Sequence, residues 1–337
     1  MDGAVGEGEG GRKGSWGAGE VPGLLCAGLC AGLAACGAGG LPPEAVEHNG
    51  RGAALLAEGA LDEAEAHLHL ALEFHPQFSE PRANLGLVAL ARGQLALAEE
   101  HLRGALTLNR DFAVAWGDLG VVLERRARPA EAAEAYREAL AIDPGLVAPR
   151  RNLALLSARR GAFGPARAQL LRLLALEPGD ATAAGVLAWC ELSLGRPRAA
   201  RLRAARVLEG APTEAGALIV RGVLRARSGD FDGAVGDLER ASADPLLGRH
   251  ARTRLAAVHL IRGEGSRAQA LAEALLREEP RDVGALLVAA SAALEAGRPA
   301  LARDRARAAL HLQPALDHAR RLLGRACRLA PDPACGG

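Results

Sequence analysis

The chain has 337 residues, 49% of them hydrophobic but only 3% aromatic, and its 41 basic and 40 acidic side chains leave a formal net charge of +1. A core of alanine and leucine suits close helix packing and gives no hint of strands, so one large all-helical domain fits despite a length that would ordinarily suggest two. A single lysine, Lys13, stands against 40 arginines, which reads as genomic base composition and not as chemistry.

The first 44 residues obey different rules from the rest. Residues 1–20 are glycine-rich, with Arg12 and Lys13 set among Asp2, Glu7, Glu9 and Glu20. Residues 21–35 are uncharged, but this stretch is short and glycine-broken, whereas a membrane-spanning helix wants about 18 or more apolar residues. It runs into Leu33-Ala34-Ala35-Cys36 and a Gly37-Ala38-Gly39-Gly40 tether. The segment resembles a bacterial lipoprotein signal ending in its lipobox. The resemblance implies a lipid on the Cys36 sulfur, cleavage before it, and an array hung from a membrane in the cell envelope. Because Gly37 and no aspartate follows the cysteine, the outer membrane facing the periplasm is the expected site. The other reading is a glycine-rich extension with a chance tetrapeptide, which leaves the array in the cytoplasm.

From residue 45 onward the chain is periodic. Alanine recurs at 64, 98, 132, 166, 200, 234, 268 and 302, an unbroken spacing of 34, and such a period means a solenoid. Twelve residues before each alanine stands only a small residue: Gly52, Gly86, Gly120, Ala154, Ala188, Gly222, Ala256 or Ala290. Five before it stands Gly59, Gly93, Ala127, Gly161, Gly195, Gly229, Gly263 or Gly297, where a chain leaving a helix needs a left-handed turn. Twelve after it comes Pro76, Pro144, Pro178, Pro212, Pro280 or Pro314, which closes the unit; Arg110 replaces proline in the second, and Pro245 comes one residue early in the sixth. Two helices of about a dozen residues joined by a short turn form an antiparallel hairpin.

The pattern resembles the tetratricopeptide repeat family, most clearly in the third unit with Trp116, Leu119, Gly120, Leu123, Ala132, Tyr136, Ala139 and Pro144. The expectation is an all-α solenoid: a leader and tether over 1–44, eight helix-turn-helix units over 45–316, and a capping helix with tail over 317–337. By that resemblance the first helix of each unit lines a concave groove. Its groove-facing columns carry Leu87, Leu90, Val121, Arg151, Leu155, Trp189, Leu192, Ile219 and Val223, with Leu260, Leu287 and Leu294 further on. Asn84 and Asn152, with Asp118 between them, resemble the asparagine ladder with which some arrays hold a peptide backbone; hydrogen bonding within the array is the competing reading. Trp189 is open to two readings, a binding anchor or a filler between successive first helices. A largely apolar trough is unusual on a soluble surface unless it meets a partner, and a polypeptide is the natural ligand.

Charge is unevenly spread. Residues 45–146 hold 16 acids and 9 bases, whereas residues 147–337 hold 19 acids and 30 bases. Arg196, Arg198, Arg201, Arg203 and Arg206 form the densest basic cluster, without interleaved aromatics, so nucleic acid is not the expected partner. Cys190 reads as a small buried residue, and Cys327 with Cys335 as a pair able to form a disulfide in an oxidising compartment or as two unpaired thiols. Gly6 to Gly11 matches GxGxxG with neither strand nor helix around it, His67 and His69 point to different sides of a helix, and no zinc, nucleophile-elbow or phosphate-loop motif occurs. The chain therefore reads as non-enzymatic, with no cofactor and no metal, binding another protein or peptide and reaching a membrane through Cys36. The expected role resembles bacterial tetratricopeptide lipoproteins that assist pilus secretin assembly or recruit cell-wall enzymes. A cytoplasmic scaffold is the alternative, and the recognition part of a glycosyltransferase system a weaker one.

Overall fold

The structure, a computed structural model, describes residues 40–331. Within them lie seventeen α-helices and no strand. The first three hairpins are α1 (Pro43–Glu58) with α2 (Leu61–Phe74), α3 (Ser79–Ala91) with α4 (Leu95–Leu108), and α5 (Ala113–Arg125) with α6 (Pro129–Ile142). The next three are α7 (Val147–Arg159) with α8 (Phe163–Leu176), α9 (Ala181–Ser193) with α10 (Pro197–Gly210), and α11 (Ala215–Arg227) with α12 (Phe231–Ala241). Then come α13 (Gly248–Ile261) with α14 (Gly265–Glu278), α15 (Val283–Glu295) with α16 (Pro299–Leu312), and the single helix α17 (Asp317–Leu329). Eight hairpins and a closing helix are the α-solenoid that the 34-residue columns predict.

The repeated columns have visible physical jobs. Each of the eight alanines from Ala64 to Ala302 is wholly buried, because the second helix of a hairpin crosses the first at that point and only a methyl group fits. Every predicted helix-breaking position takes a positive φ: seven are glycine, and Ala127 adopts 56° despite its side chain. The chain then turns back within two or three residues, as at Gln94, whose backbone N–H donates to the Ala89 carbonyl at 2.8 Å.

The curvature follows from which helices touch. Each odd-numbered helix packs on the next odd-numbered one as well as on its own partner, and no comparable contact joins successive even-numbered helices. The odd-numbered helices are therefore the inner layer of a bent array. The sixth unit departs from the rest, as Pro245 predicts. There α12 stops at Ala241, the Asp244 carboxylate accepts from the Leu246 and Leu247 N–H groups at 2.9 and 2.7 Å, and α13 begins at Gly248 with Leu247 buried beneath it.

Two buried carboxylates on even-numbered helices hold arginines, Glu99 across two units and Asp237 within one. Glu99 accepts from Arg103 at 2.8 Å, from Arg128 at 2.8 Å and from Arg126, which ties the second unit to the third. Asp237 accepts from Arg221 Nε and Nη2 at 2.8 and 2.6 Å and from Arg225 Nη1 at 2.7 Å.

Candidate ligand-binding groove

Of the predicted groove residues on the inner layer of the first four units, Asn84 and Leu87 on α3, Val121 on α5, and Arg151 and Asn152 on α7 are half-buried. Leu87 and Val121 rest with one side on the core and the other accessible. The Asn84 amide donates to Asn49 Oδ1 at 3.0 Å, so part of the ladder is bonded within the array. Asp118, between Asn84 and Asn152 in register, is buried and has no hydrogen-bond partner among the described residues. Burial pushes its carboxyl up to about 7. Arg151 reaches the start of the next unit, with Nε on Asp180 at 2.9 Å and Nη2 on Glu177 at 2.6 Å. Arg159 pairs with Glu124, which also accepts from the Tyr136 hydroxyl at 2.9 Å. Leu90 sits in the core.

The middle of the inner layer is closed. Leu155, Trp189, Leu192 and Ile219 are all buried, and only Val223 of the predicted central residues is half-buried. Trp189 is 3% exposed and packs edge-on against Phe163, with centroids 5.4 Å apart, and against His250, at 4.9 Å. In this arrangement its ring fills space between units. The cause lies one turn away, where α9 and α11 meet through two glycines: a Cβ on Gly216 would stand 2.6 Å from the Gly185 carbonyl carbon. Glu214 is folded over Gly185, and its carboxylate caps α11 by accepting from the Gly216 and Ala217 N–H groups at 3.1 and 2.6 Å. Burial raises this carboxyl to about 7. Burial likewise pushes the His250 imidazole down to about 4, with Arg249 adding to the effect.

Sequence columns alone miss this closure. The available signal was glycine in the first turns of two adjacent inner helices, at Gly185 and Gly216, together with the early Pro245 that brings His250 into the first turn of α13.

Other predicted groups are placed as follows. Arg196, Arg198, Arg201 and Arg206 are exposed, while Arg203 holds the buried Glu191 at 3.2 Å. Cys190 is a buried free thiol. His67 turns inward to His48, with Nδ1 atoms 2.9 Å apart, and His69 faces out. Cys327 is disulfide-bonded, but its expected partner Cys335, like Cys36 and the apolar stretch before it, lies outside the described residues. Among the described residues no helix is long and apolar enough to cross a membrane, and no three His, Cys, Asp or Glu side chains gather as metal ligands would.

Residues 84–147 match the family model described as tetratricopeptide repeat. Similar solved structures include PilF of Pseudomonas aeruginosa, at 23% identity and TM-score 0.51 over 58% of this chain and 90% of that one. A tetratricopeptide repeat protein from Parabacteroides merdae superposes at 18% identity and TM-score 0.55, over 74% and 99%. The chain folds as a tetratricopeptide-repeat solenoid. A chain in the Cut9–Hcn1 hetero-tetramer of APC/C agrees at 17% identity and TM-score 0.56, over 83% of this chain and 55% of that one. No curated protein matches the sequence. At these identities the likeness concerns the solenoid alone, so what the solenoid binds has to be argued from its own side chains.

Proposed function

We propose that the protein is a non-catalytic adaptor that binds a polypeptide along the inner layer of its first four units and is held at a bacterial membrane, facing the periplasm, by a lipid on Cys36. The carrying observation is the row Asn84, Leu87, Val121 and Asn152. Asn84 and Asn152 share one column of the repeat and Leu87 and Val121 another, all four half-buried on α3, α5 and α7, so amide and apolar side chains occur together on the inner layer. An extended or helical peptide laid across successive inner helices finds both hydrogen-bonding and apolar contacts there. The closed stretch at α9 and α11 supports the first four units as the binding half, since Trp189 and Leu192 are already covered. The acidic balance of residues 45–146 favours a basic segment as ligand.

The lipid anchor rests on Leu33-Ala34-Ala35-Cys36 at the end of an uncharged run. Mass spectrometry of protein from its native host tests it. A chain beginning at diacylated Cys36, and a Cys36→Ser variant released to the soluble fraction, are the expected results. An intact Met1 terminus without acyl mass would leave the cytoplasmic scaffold, which the acidic Asp2, Glu7, Glu9 and Glu20 favour. Binding is tested by photo-crosslinking groups placed at Leu87 and Val121, which should trap a polypeptide partner that Asn84→Ala with Asn152→Ala weakens.

A further inference from the structure

The inner layer holds one carboxylate that the fold leaves without a donor. Asn84 of α3 satisfies a polar side chain in that column by donating to Asn49 of α1 at 3.0 Å. One repeat further on, the same relationship sets Asp118 of α5 in register with Ala83 of α3, and a methyl group offers no hydrogen bond. Asp118 is 5% exposed and has neither hydrogen bond nor ion pair among the described residues, yet neither of its oxygens is sealed from solvent. What contact the residue keeps with the groove is therefore made by the carboxylate itself.

The charges on the surrounding helices are engaged elsewhere. On α3, Glu80 accepts from the Ser79 hydroxyl and Arg82 lies over Gly104 of α4. Glu99 and Arg103 of α4 pair with each other, and Glu131 of α6 pairs with Arg128. On α5 itself, Glu124 takes the Tyr136 hydroxyl of α6 and Arg159 of α7. Arg150 of α7 is held by Gln169 and the Pro144 carbonyl, and Arg151 by Asp180 and Glu177. No charged group acts on Asp118, and burial is the whole cause of its rise to about 7.

An acceptor buried without a donor lowers stability, and folds keep such a group where a ligand supplies the missing partner. We propose that Asp118 is the specificity residue of the groove, a carboxylate on its floor that receives the ammonium or guanidinium group of one lysine or arginine in the bound polypeptide. The inference rests on the groove reading above and names what that groove selects. A carboxylate only accepts, and a cation offsets its loss of water better than a neutral amide does. The half-buried Leu87 and Val121 lie one turn beyond the column on α3 and α5, where they suit the aliphatic stem of a long basic side chain. Among the described residues no His, Cys or further acids gather as metal ligands, so a hard cation that wants several oxygens finds only one carboxylate here. The excess of 16 acids over 9 bases in residues 45–146 draws a basic segment toward the site.

The test uses the purified full chain and a displayed library of random linear peptides. Selection is run at about pH 8, where the carboxyl is charged, on the unaltered chain, Asp118→Asn and Glu138→Gln in parallel. Glu138 is exposed on α6, so its change removes the same charge away from the groove, while Asp118→Asn keeps the shape of the side chain and relieves a buried charge, so it folds. Peptides selected on the unaltered chain and on Glu138→Gln should share a lysine or arginine at one position, and those selected on Asp118→Asn should not. A selected peptide should bind Asp118→Asn about tenfold or more weakly, should lose as much when its base is replaced by norleucine, and should lose little more when the two changes are combined. Its affinity for the unaltered chain should rise as pH passes upward through about 7 and stay level for Asp118→Asn. Selected peptides without a shared base, or equal affinity for Asp118→Asn and the unaltered chain, overturn the inference; the groove reading survives that result if Leu87→Asp abolishes binding. No peptide retained by the unaltered chain, or binding indifferent to both Leu87→Asp and Asp118→Asn, overturns the groove reading and the inference together.

Discussion

Gly216 lies against Gly185 so closely that a single methyl group would meet the Gly185 carbonyl carbon at 2.6 Å. Both partners are backbone, so neither can rotate away, and alanine at 216 has to push α11 off α9. Overpacking of this kind costs about 1–3 kcal/mol. Gly216→Ala should therefore lower thermal stability and raise the exposure of Trp189, read by the red shift of its fluorescence. Gly236→Ala is the control: Gly236 is inside α12 with open space around it, and alanine there should stabilise by up to about 1 kcal/mol.

Ala127 stands alone among the eight turn positions in holding a left-handed backbone with a side chain, at φ 56°. The conformation costs roughly 1 kcal/mol or more for a residue with a Cβ. Ala127→Gly should raise the unfolding free energy by about that amount, less the added freedom of glycine in the unfolded chain, and so move the denaturation midpoint upward. Chemical denaturation checks it, and a midpoint that falls would contradict the strain argument.

Asp237 is buried under three guanidinium hydrogen bonds. Removing the carboxylate leaves Arg221 and Arg225 without their shared acceptor, and breaking a buried pair from one side typically costs about 3–5 kcal/mol. The arginines are partly solvated, so Asp237→Ala should fall near or below the lower figure. Asp237→Asn should cost less, because it keeps an acceptor oxygen.

Stability should depend on pH from both sides. His250 titrates lower in the fold than its ordinary 6.5, at about 4, so its contribution is present above 6.5 and is lost as pH falls toward 4. Asp118 is raised from 3.8 to about 7, so its neutral form is the favoured one; its contribution is present below about 4 and is lost as pH rises through 7. Asp118→Asn should accordingly stabilise the protein by a few kcal/mol at pH 8 and by little at pH 4. His250→Leu should flatten the acid limb between 6.5 and 4. Thermal melts of the two variants across pH 4 to 8 separate the contributions.

What the sequence conveyed best was everything that repeats. A column such as Ala64 to Ala302 reports the same local crossing eight times, and Gly59 to Gly297 reports the same turn, so chance in any one unit hardly matters. Ala127 was placed correctly by register even though its side chain opposes the backbone it adopts. The closure at α9 and α11 was illegible for the opposite reason. It depends on Gly185, Gly216 and Glu214 coming together in adjacent units, and on the early Pro245, a combination that occurs once although Gly117 and Gly284 share the columns of the two glycines. Trp189 shows the consequence, since its column points to the inner layer but its exposure is decided by His250, two units away. The ladder residues Asn84 and Asn152 were read in register, whereas the Asn49 partner of Asn84 was not, because it lies outside that column.

Position-resolved photo-crosslinking in the native host tests the central claim most directly. A crosslinking residue is placed in turn at Leu87 and Val121 on the inner layer and at the exposed Leu202 on α10, and adducts are identified by mass spectrometry. The account predicts one polypeptide partner trapped from Leu87 and Val121, absent from Leu202, and diminished when Asn84 and Asn152 are both changed to alanine. A partner trapped from Leu202 and not from the inner positions would contradict it and place recognition on the outer, arginine-bearing face.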